Sequence, residues 1–105
     1  MSTRLPGSKY KRVFDRGRAL RAHLLTAYVL KAEDAGRQAG VVVSKKSFHD
    51  AVDRNRAKRI MREAFRLIVD EMPQDCDWVL VGRSALKGRK TSDVAAELRW
   101  MCGRF

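Results

Sequence analysis

Residues 54–66 read RNRAKRIMREAFR and hold the densest chemistry in the chain. Arg54, Arg56, Lys58, Arg59, Arg62 and Arg66 are cations, and within residues 52–67 only Asp53 and Glu63 oppose them. Guanidinium forks match phosphate oxygens and lysine supplies a point charge, so the set suits binding a polyanion. Residues able to break bonds are scattered. His23 and His49 stand alone, and Cys76 and Cys102 lie 26 residues apart, which is no zinc spacing. DCD at residues 75–77 reads as a turn entering a strand rather than a metal site. GRSALKGRK, residues 82–90, lacks the spacing of a phosphate-binding P-loop. No Ser, His and Asp set stands out. A protein-based catalytic centre is therefore not expected, and the chemistry points to binding.

The charge distribution agrees. The chain has 105 residues and a net charge of +11. Residues 1–66 hold 17 Lys and Arg against 6 Asp and Glu, whereas residues 67–105 hold 6 of each. Such a one-sided field costs self-repulsion, and a polyanion that releases counterions on binding is the usual reason to tolerate it. Nucleic acid is favoured over a membrane surface, because no basic amphipathic tail with a Trp or Leu face is evident. No apolar run approaches a membrane span, and the N-terminus has no apolar stretch of a secretory signal. A cytoplasmic protein with reduced thiols is expected.

Several elements must position these residues. One domain is expected over 1–105, with a loose basic arm at 1–7. Ser8 can cap a short helix with Tyr10, Val13 and Phe14 on its apolar face, ended by Gly17. HLLTAYVLKA (23–32) alternates as a strand, with Leu25, Ala27 and Val29 on one face and Leu24, Thr26, Tyr28 and Leu30 on the other. AGVVVSKK (39–46) is the next strand, with Ala39, Val41 and Val43 opposite Gly40, Val42 and Ser44. The turn signal EDAGRQ between them makes a hairpin the simplest pairing. A helix follows, capped by Asp50 or Asp53 and ended before Pro73. Ala57, Ile60, Met61, Ala64, Phe65, Ile68 and Met72 form its apolar stripe. On its other side Arg54, Lys58, Arg62 and Arg66 recur every four residues, each like-charge pair costing about 0.2–0.5 kcal/mol in an isolated helix. CDWVLVGR is a third strand. TSDVAAELRWMC is a closing helix, capped by Thr91 or Ser92, with Val94, Ala95, Leu98, Met101 and Cys102 inward. Phe65, Trp78 and Trp100 read as core, and both cysteines as packing residues. The result is an α+β, two-layer sandwich with a mostly antiparallel sheet.

These segments together carry a family resemblance. GVVVSKK, RNRAKRIMREAFR and DWVLVGR, in that order, resemble the bacterial ribonuclease P protein subunit over roughly residues 5–102. YKRVFDRG matches the family's aromatic-x-x-Val-Phe-x-x-Gly pattern. The resemblance implies a ribosomal protein S5 domain 2-like fold with a left-handed βαβ crossover, the rarer hand. It also implies a partner, a catalytic RNA that removes the 5′ leader of precursor tRNA using Mg²⁺ held by the RNA and substrate. One departure is SFHDAV, a residue longer than the VGNAV common in the family, so His49 and Asp50 inherit no role.

Carried over by residue, the resemblance implies that Arg54, Asn55, Arg56, Lys58, Arg59 and Arg62 contact the catalytic RNA, with Arg66 extending the same face. Tyr10, Phe14 and Tyr28 fall where the family places aromatics for the single-stranded leader. Thr26, Ser44, Lys45 and Lys46 join them, the lysines for the leader backbone. Stacking on aromatics is sequence-tolerant and worth about 1–3 kcal/mol per base. The chain is expected to act as a monomer within the ribonucleoprotein. A ribosomal or chaperone-type RNA binder is the alternative. A metal-dependent nuclease acting alone would need a carboxylate or His cluster that the sequence does not offer.

Overall fold

The computed structural model describes residues 3–104. Helix α1 (Tyr10–Arg16) leads to strand β1 (Arg18–Arg21), and β2 (Leu25–Lys31) and β3 (Gln38–Val42) follow. Helix α2 (Ala51–Ile68), strand β4 (Cys76–Gly82) and helix α3 (Thr91–Cys102) complete the chain. The strands form one mixed sheet in the order β1-β2-β4-β3. The β1–β2 and β2–β4 pairs are antiparallel and the β3–β4 pair is parallel. The fold is α+β, as expected.

The expected β2–β3 hairpin does not form, because β4 lies between the two strands. The reason is visible in β4 itself. Residues 76–80 are all buried, so both faces of this strand are covered. A strand apolar on both faces gains most from the centre of a sheet. The polar linker between β2 and β3 then carries β3 to the far edge. Strand β1 has no sequence-level counterpart. Its RALR is mostly exposed, and an exposed edge strand gives no apolar alternation.

The alternation read from Leu25 onward and in β3 sorts the side chains correctly. Leu24, expected on the face of Thr26 and Tyr28, is instead buried in the main core, because it precedes the strand and escapes its alternation. Leu25, Ala27, Val29, Ala39, Val41 and Val43 join Trp78 and Leu80 in the main core beneath α2 and α3. The α2 stripe of Ala57, Ile60, Met61, Ala64, Phe65 and Ile68 is buried there, and Met72 with it. Burying each large apolar side chain contributes about 1.5–3 kcal/mol, which offsets the like-charge repulsion on the opposite side of α2. Asp50 sits at the N-cap without a side-chain bond, and Arg54 Nη1 instead closes that end on the carbonyls of Phe48 (2.8 Å) and His49 (2.7 Å).

The opposite face of the sheet carries a second, smaller cluster. Leu5, Val13, Leu30 and Val79 are buried there, with Tyr10, Tyr28, Val42 and Val81 packed around them. Helix α1 covers this face only in part, so the expected two layers gain a partial third. Gly17 ends α1 as expected, its N–H donating to Val13 O at 2.8 Å. A single-turn 3₁₀ segment over Gly7–Lys9 precedes α1, so Ser8 is not its cap.

Residues 1 and 2 of the expected loose arm lie outside the described residues, as does the terminal Phe105. Within the arm, the Ala39 N–H donates to Thr3 O and the Leu5 N–H to Ala39 O. This pairing satisfies the free edge of β3 and buries Leu5. At α3, Lys90 is the N-cap and Thr91 the first helical residue, correcting the Thr91 or Ser92 expectation. The Asp93 carboxylate accepts the Lys90 N–H at 3.0 Å, while Thr91 Oγ1 donates to Glu63 at 3.2 Å. Trp100 is half exposed rather than core, since the α3 stripe is Val94, Ala95, Leu98 and Met101. Its outer face is met by the Arg104 guanidinium, 4.3 Å from the ring centroid.

Candidate nucleic-acid interface

Two surfaces flank one end of the sheet, the end where β3 and β4 finish and α2 begins. The first is the outer side of α2. Asn55, Arg56, Arg59 and Arg66 are exposed, while Arg54, Lys58 and Arg62 are half-buried along one flank. Val52, Asn55, Arg56 and Arg59 enclose a shallow concavity between successive turns. Arg59 approaches Glu63 at 3.8 Å, an exposed pair worth little in water. The seven expected contact residues thus share one element but not one job. Arg54 spends Nη1 on the loop before the helix, so it fixes the start of α2 as well as adding charge.

The second surface is the half-covered face of the sheet, and strand register defines it. Tyr28 pairs with Val79, and Val79 with Gly40, making one row across three strands. Helix α1 sits on that row. Phe14 meets Tyr28 edge-on, with ring centroids 4.9 Å apart and planes at 67°. The Tyr10 ring lies over Gly40, where a Cβ would overlap it, and its hydroxyl accepts the Val41 N–H at 3.2 Å. Glycine is therefore required at residue 40 for close approach, not for backbone freedom. The next row, Thr26–Val81–Val42, is only half-buried, with Val42 and Val81 at the margin of the small cluster. It forms a cleft floor with Tyr10, Phe14 and Tyr28 as one wall. Phe14, 37% exposed, is the large apolar side chain left open there.

Beyond Val42, Ser44 accepts the Ser47 N–H through Oγ at 3.1 Å, which shapes the turn that presents exposed Lys45 and Lys46. Ser44 therefore lies past the end of β3 and lines the mouth rather than the floor. The register also adds a residue that sequence reading missed. Arg21 pairs with Thr26, so it extends the open row on its other side. Its only signal was the short RALR segment before β2, whose polarity hid a strand.

A fork fixes the wall. Arg12 Nη1 and Nη2 reach the two carboxylate oxygens of Asp34 at 2.7 and 2.8 Å, tying α1 to the turn after β2. Hydrogen bonding to Arg12 lowers the Asp34 pKa from the usual 3.8 to about 2. The thiols behave oppositely. Burial is the main cause raising the pKa of both Cys76 and Cys102, which removes the thiolate needed of a nucleophile. Cys102 instead lies 3.3 Å from the Met72 sulfur.

No group of three or more His, Cys, Asp or Glu side chains is placed to hold a metal among the described residues. No helix among them is long and apolar enough to cross a membrane.

Comparisons with known proteins converge. The family model described as Ribonuclease P matches residues 5–105. The ribonuclease P protein component of an Exiguobacterium species is 34% identical over 91 residues, covering 87% of this chain and 78% of that protein. That of Oleidesulfovibrio alaskensis is 38% identical over 91 residues, covering 84% and 72%. Among solved structures, the ribonuclease P protein from Thermotoga maritima superposes with a TM-score of 0.82 at 25% identity, covering 97% of this chain and 96% of its own. The Staphylococcus aureus ribonuclease P protein shares the fold, with a TM-score of 0.76 at 22% identity and coverage of 99% and 94%.

Proposed function

This chain belongs to the ribonuclease P protein family, and we propose that, as the protein component of that ribonucleoprotein, it docks on the catalytic RNA through α2 and holds the precursor tRNA 5′ leader in the sheet cleft. The observation that carries this reading is the half-buried row Thr26–Val81–Val42. It lies under an aromatic wall, with Lys45 and Lys46 at its mouth, on the sheet face opposite the basic helix. A single strand fits such a site. Its bases stack on Phe14, Tyr28 and the open side of Tyr10, while the lysines and Arg21 meet its phosphates. A folded duplex would not enter a cleft floored by one row of a sheet.

The holoenzyme hydrolyses one phosphodiester bond, leaving a 5′-phosphate on the tRNA and a released leader. This reading assigns the metal ions and the chemistry to the RNA; among the described residues no group of three His, Cys, Asp or Glu side chains is placed to hold a metal. The protein's part is twofold. The α2 cations neutralise RNA phosphates and lower the Mg²⁺ needed for folding and catalysis. The cleft holds only the leader, so precursor binds more tightly than mature tRNA and product leaves.

The ribosomal protein S5 domain 2-like fold and its left-handed crossover belong to the same reading. Ala39 packs its side chain in the core beneath α2 and turns its N–H and C=O outward to Thr3 and Leu5. In a strand of L-residues running upward with the side chain toward the viewer, those groups lie on the right. Strand β4 is then on the left with α2 in front, which supports a left-handed β3–α2–β4 unit against the usual right-handed sense.

The test is cleavage of a leader-bearing precursor tRNA at low Mg²⁺, with a bacterial ribonuclease P RNA, with and without this chain. The expected result is cleavage only when both are present. Tight RNA binding without stimulation, with the cognate RNA as well, would favour a ribosomal or chaperone-type binder.

A further inference from the structure

The charge balance of residues 67–105 is zero, yet its basic residues are not spread evenly. Arg83, Lys87, Arg89 and Lys90 fall within eight residues that contain no acid. All four are exposed on the connection between β4 and α3. Among the described residues none makes an ion pair: Arg83 donates through Nη1 to the Ala22 carbonyl, and the Lys87 ammonium sits 5.4 Å from the Phe48 ring centroid.

The connection is built rather than loose. Leu86 is buried, and the N–H groups of Leu86, Lys87 and Arg89 donate to the carbonyls of Arg83, Ser84 and Leu86. Gly88 takes φ +74°, a left-handed conformation that turns the chain between Lys87 and Arg89. The segment is also fastened beside α2 at two places. Leu86, Lys87 and Gly88 close a cavity of about 90 Å³ against Phe48, Asp53, Arg56, Ala57 and Ile60. Two turns further along α2, Glu63 accepts the hydroxyl of Thr91. Residues 87–90 therefore run alongside the helix from Arg56 toward Glu63. Asp53 is the acid on the cavity wall, and Glu63 is engaged with Thr91 and Arg59.

We propose that the β4–α3 connection is a second row of phosphate contacts for the catalytic RNA, with Lys87, Arg89 and Lys90 continuing the surface of α2 past Arg56. The inference rests on the reading of α2 as the RNA-facing side. One row on a helix meets one phosphate strand. Two rows fixed side by side grip a structured RNA at two backbone segments, and they supply orientation as well as charge. The half of the chain that looked neutral then carries part of the footprint.

The test is a salt titration of binding to a ribonuclease P RNA, without tRNA, for four full-length proteins. These are the wild type, Lys87→Ala/Arg89→Ala/Lys90→Ala, Arg59→Ala/Arg62→Ala, and the charge-keeping Lys87→Arg/Lys90→Arg. Each lost phosphate contact lowers the slope of log affinity against log salt by roughly 0.7–0.9. The triple variant is expected to lower that slope by about two units and weaken binding by at least tenfold at moderate salt, while the Lys-to-Arg variant keeps wild-type values. A triple variant that binds like wild type, beside a weakened α2 variant, overturns the inference and leaves the reading of α2 standing. An α2 variant that binds like wild type overturns that reading, and the inference with it. Equal loss in the Lys-to-Arg variant would assign the effect to loop packing rather than charge, and it too overturns the inference.

Discussion

The two faces of the sheet are finished in opposite ways. On one, α2 and α3 pack over the sheet, and the apolar side chains close into a core led by Met61, Phe65, Trp78 and Leu98. On the other, the seven-residue helix α1 sits over the row through Tyr28, Val79 and Gly40, and the row Thr26–Val81–Val42 is left half-buried. In the proposed reading the closed face exports its function to the outer surface of α2, where cations stand on a rigid support. In the same reading the open face keeps its function in the gap, where aromatic rings and a half-buried strand row stay reachable. The difference is one of coverage, since the same alternation of side chains feeds both faces.

The largest expected effect comes from breaking the closed face. Phe65→Ala removes a fully buried ring that packs edge-on against Trp78. It should cost about 3–5 kcal/mol in denaturant unfolding and reduce RNA and leader binding together, because both surfaces hang on this core. Tyr28→Ala separates the faces. It should weaken the holoenzyme's affinity for precursor by roughly 5- to 150-fold, the equivalent of about 1–3 kcal/mol for one stacked base, with mature tRNA unchanged. Equal losses on both tRNAs would remove the cleft assignment.

Arg62→Ala should do the reverse. Assembly with the catalytic RNA weakens and its salt slope falls by about one, while the ratio of precursor to mature affinity stays constant. Asp34→Asn is the smallest change. Its carboxyl pKa is depressed to about 2 from 3.8, so the fork stabilises the folded chain above pH 4 and that support is lost as pH falls toward 2. Acid unfolding of the Asn variant should therefore be shallower across that window. An unchanged acid limb would mean that the fork does not hold α1 to the β2–β3 turn.

Much of this contrast was legible in the residues. Strong periodicity located α2, and α3 over residues 91–102, and the alternation in 25–30 and 39–43 assigned each side chain to its face. What failed depended on long-range partners. The β2–β3 hairpin was the local solution, but β4, buried on both faces, took the central place. Strand β1 was hidden because an edge strand needs no apolar side chains, and Arg21 was hidden with it. Trp100 was misplaced because a helix carries apolar residues off its stripe without any mark in the sequence. The contacts of Arg54 and the seating of residues 86–90 against α2 both depend on loop paths, which residue spacing does not encode.

The central claim is that the open face reads the leader and the closed face does not. It is tested most directly by titrating the catalytic RNA, with and without this chain, against precursor tRNA and mature tRNA at one salt concentration. The account predicts that the chain tightens binding of the precursor and leaves mature tRNA where the RNA alone puts it. Equal tightening of both would contradict it, because the protein would then act through the RNA or the tRNA body and the cleft would have no leader to hold.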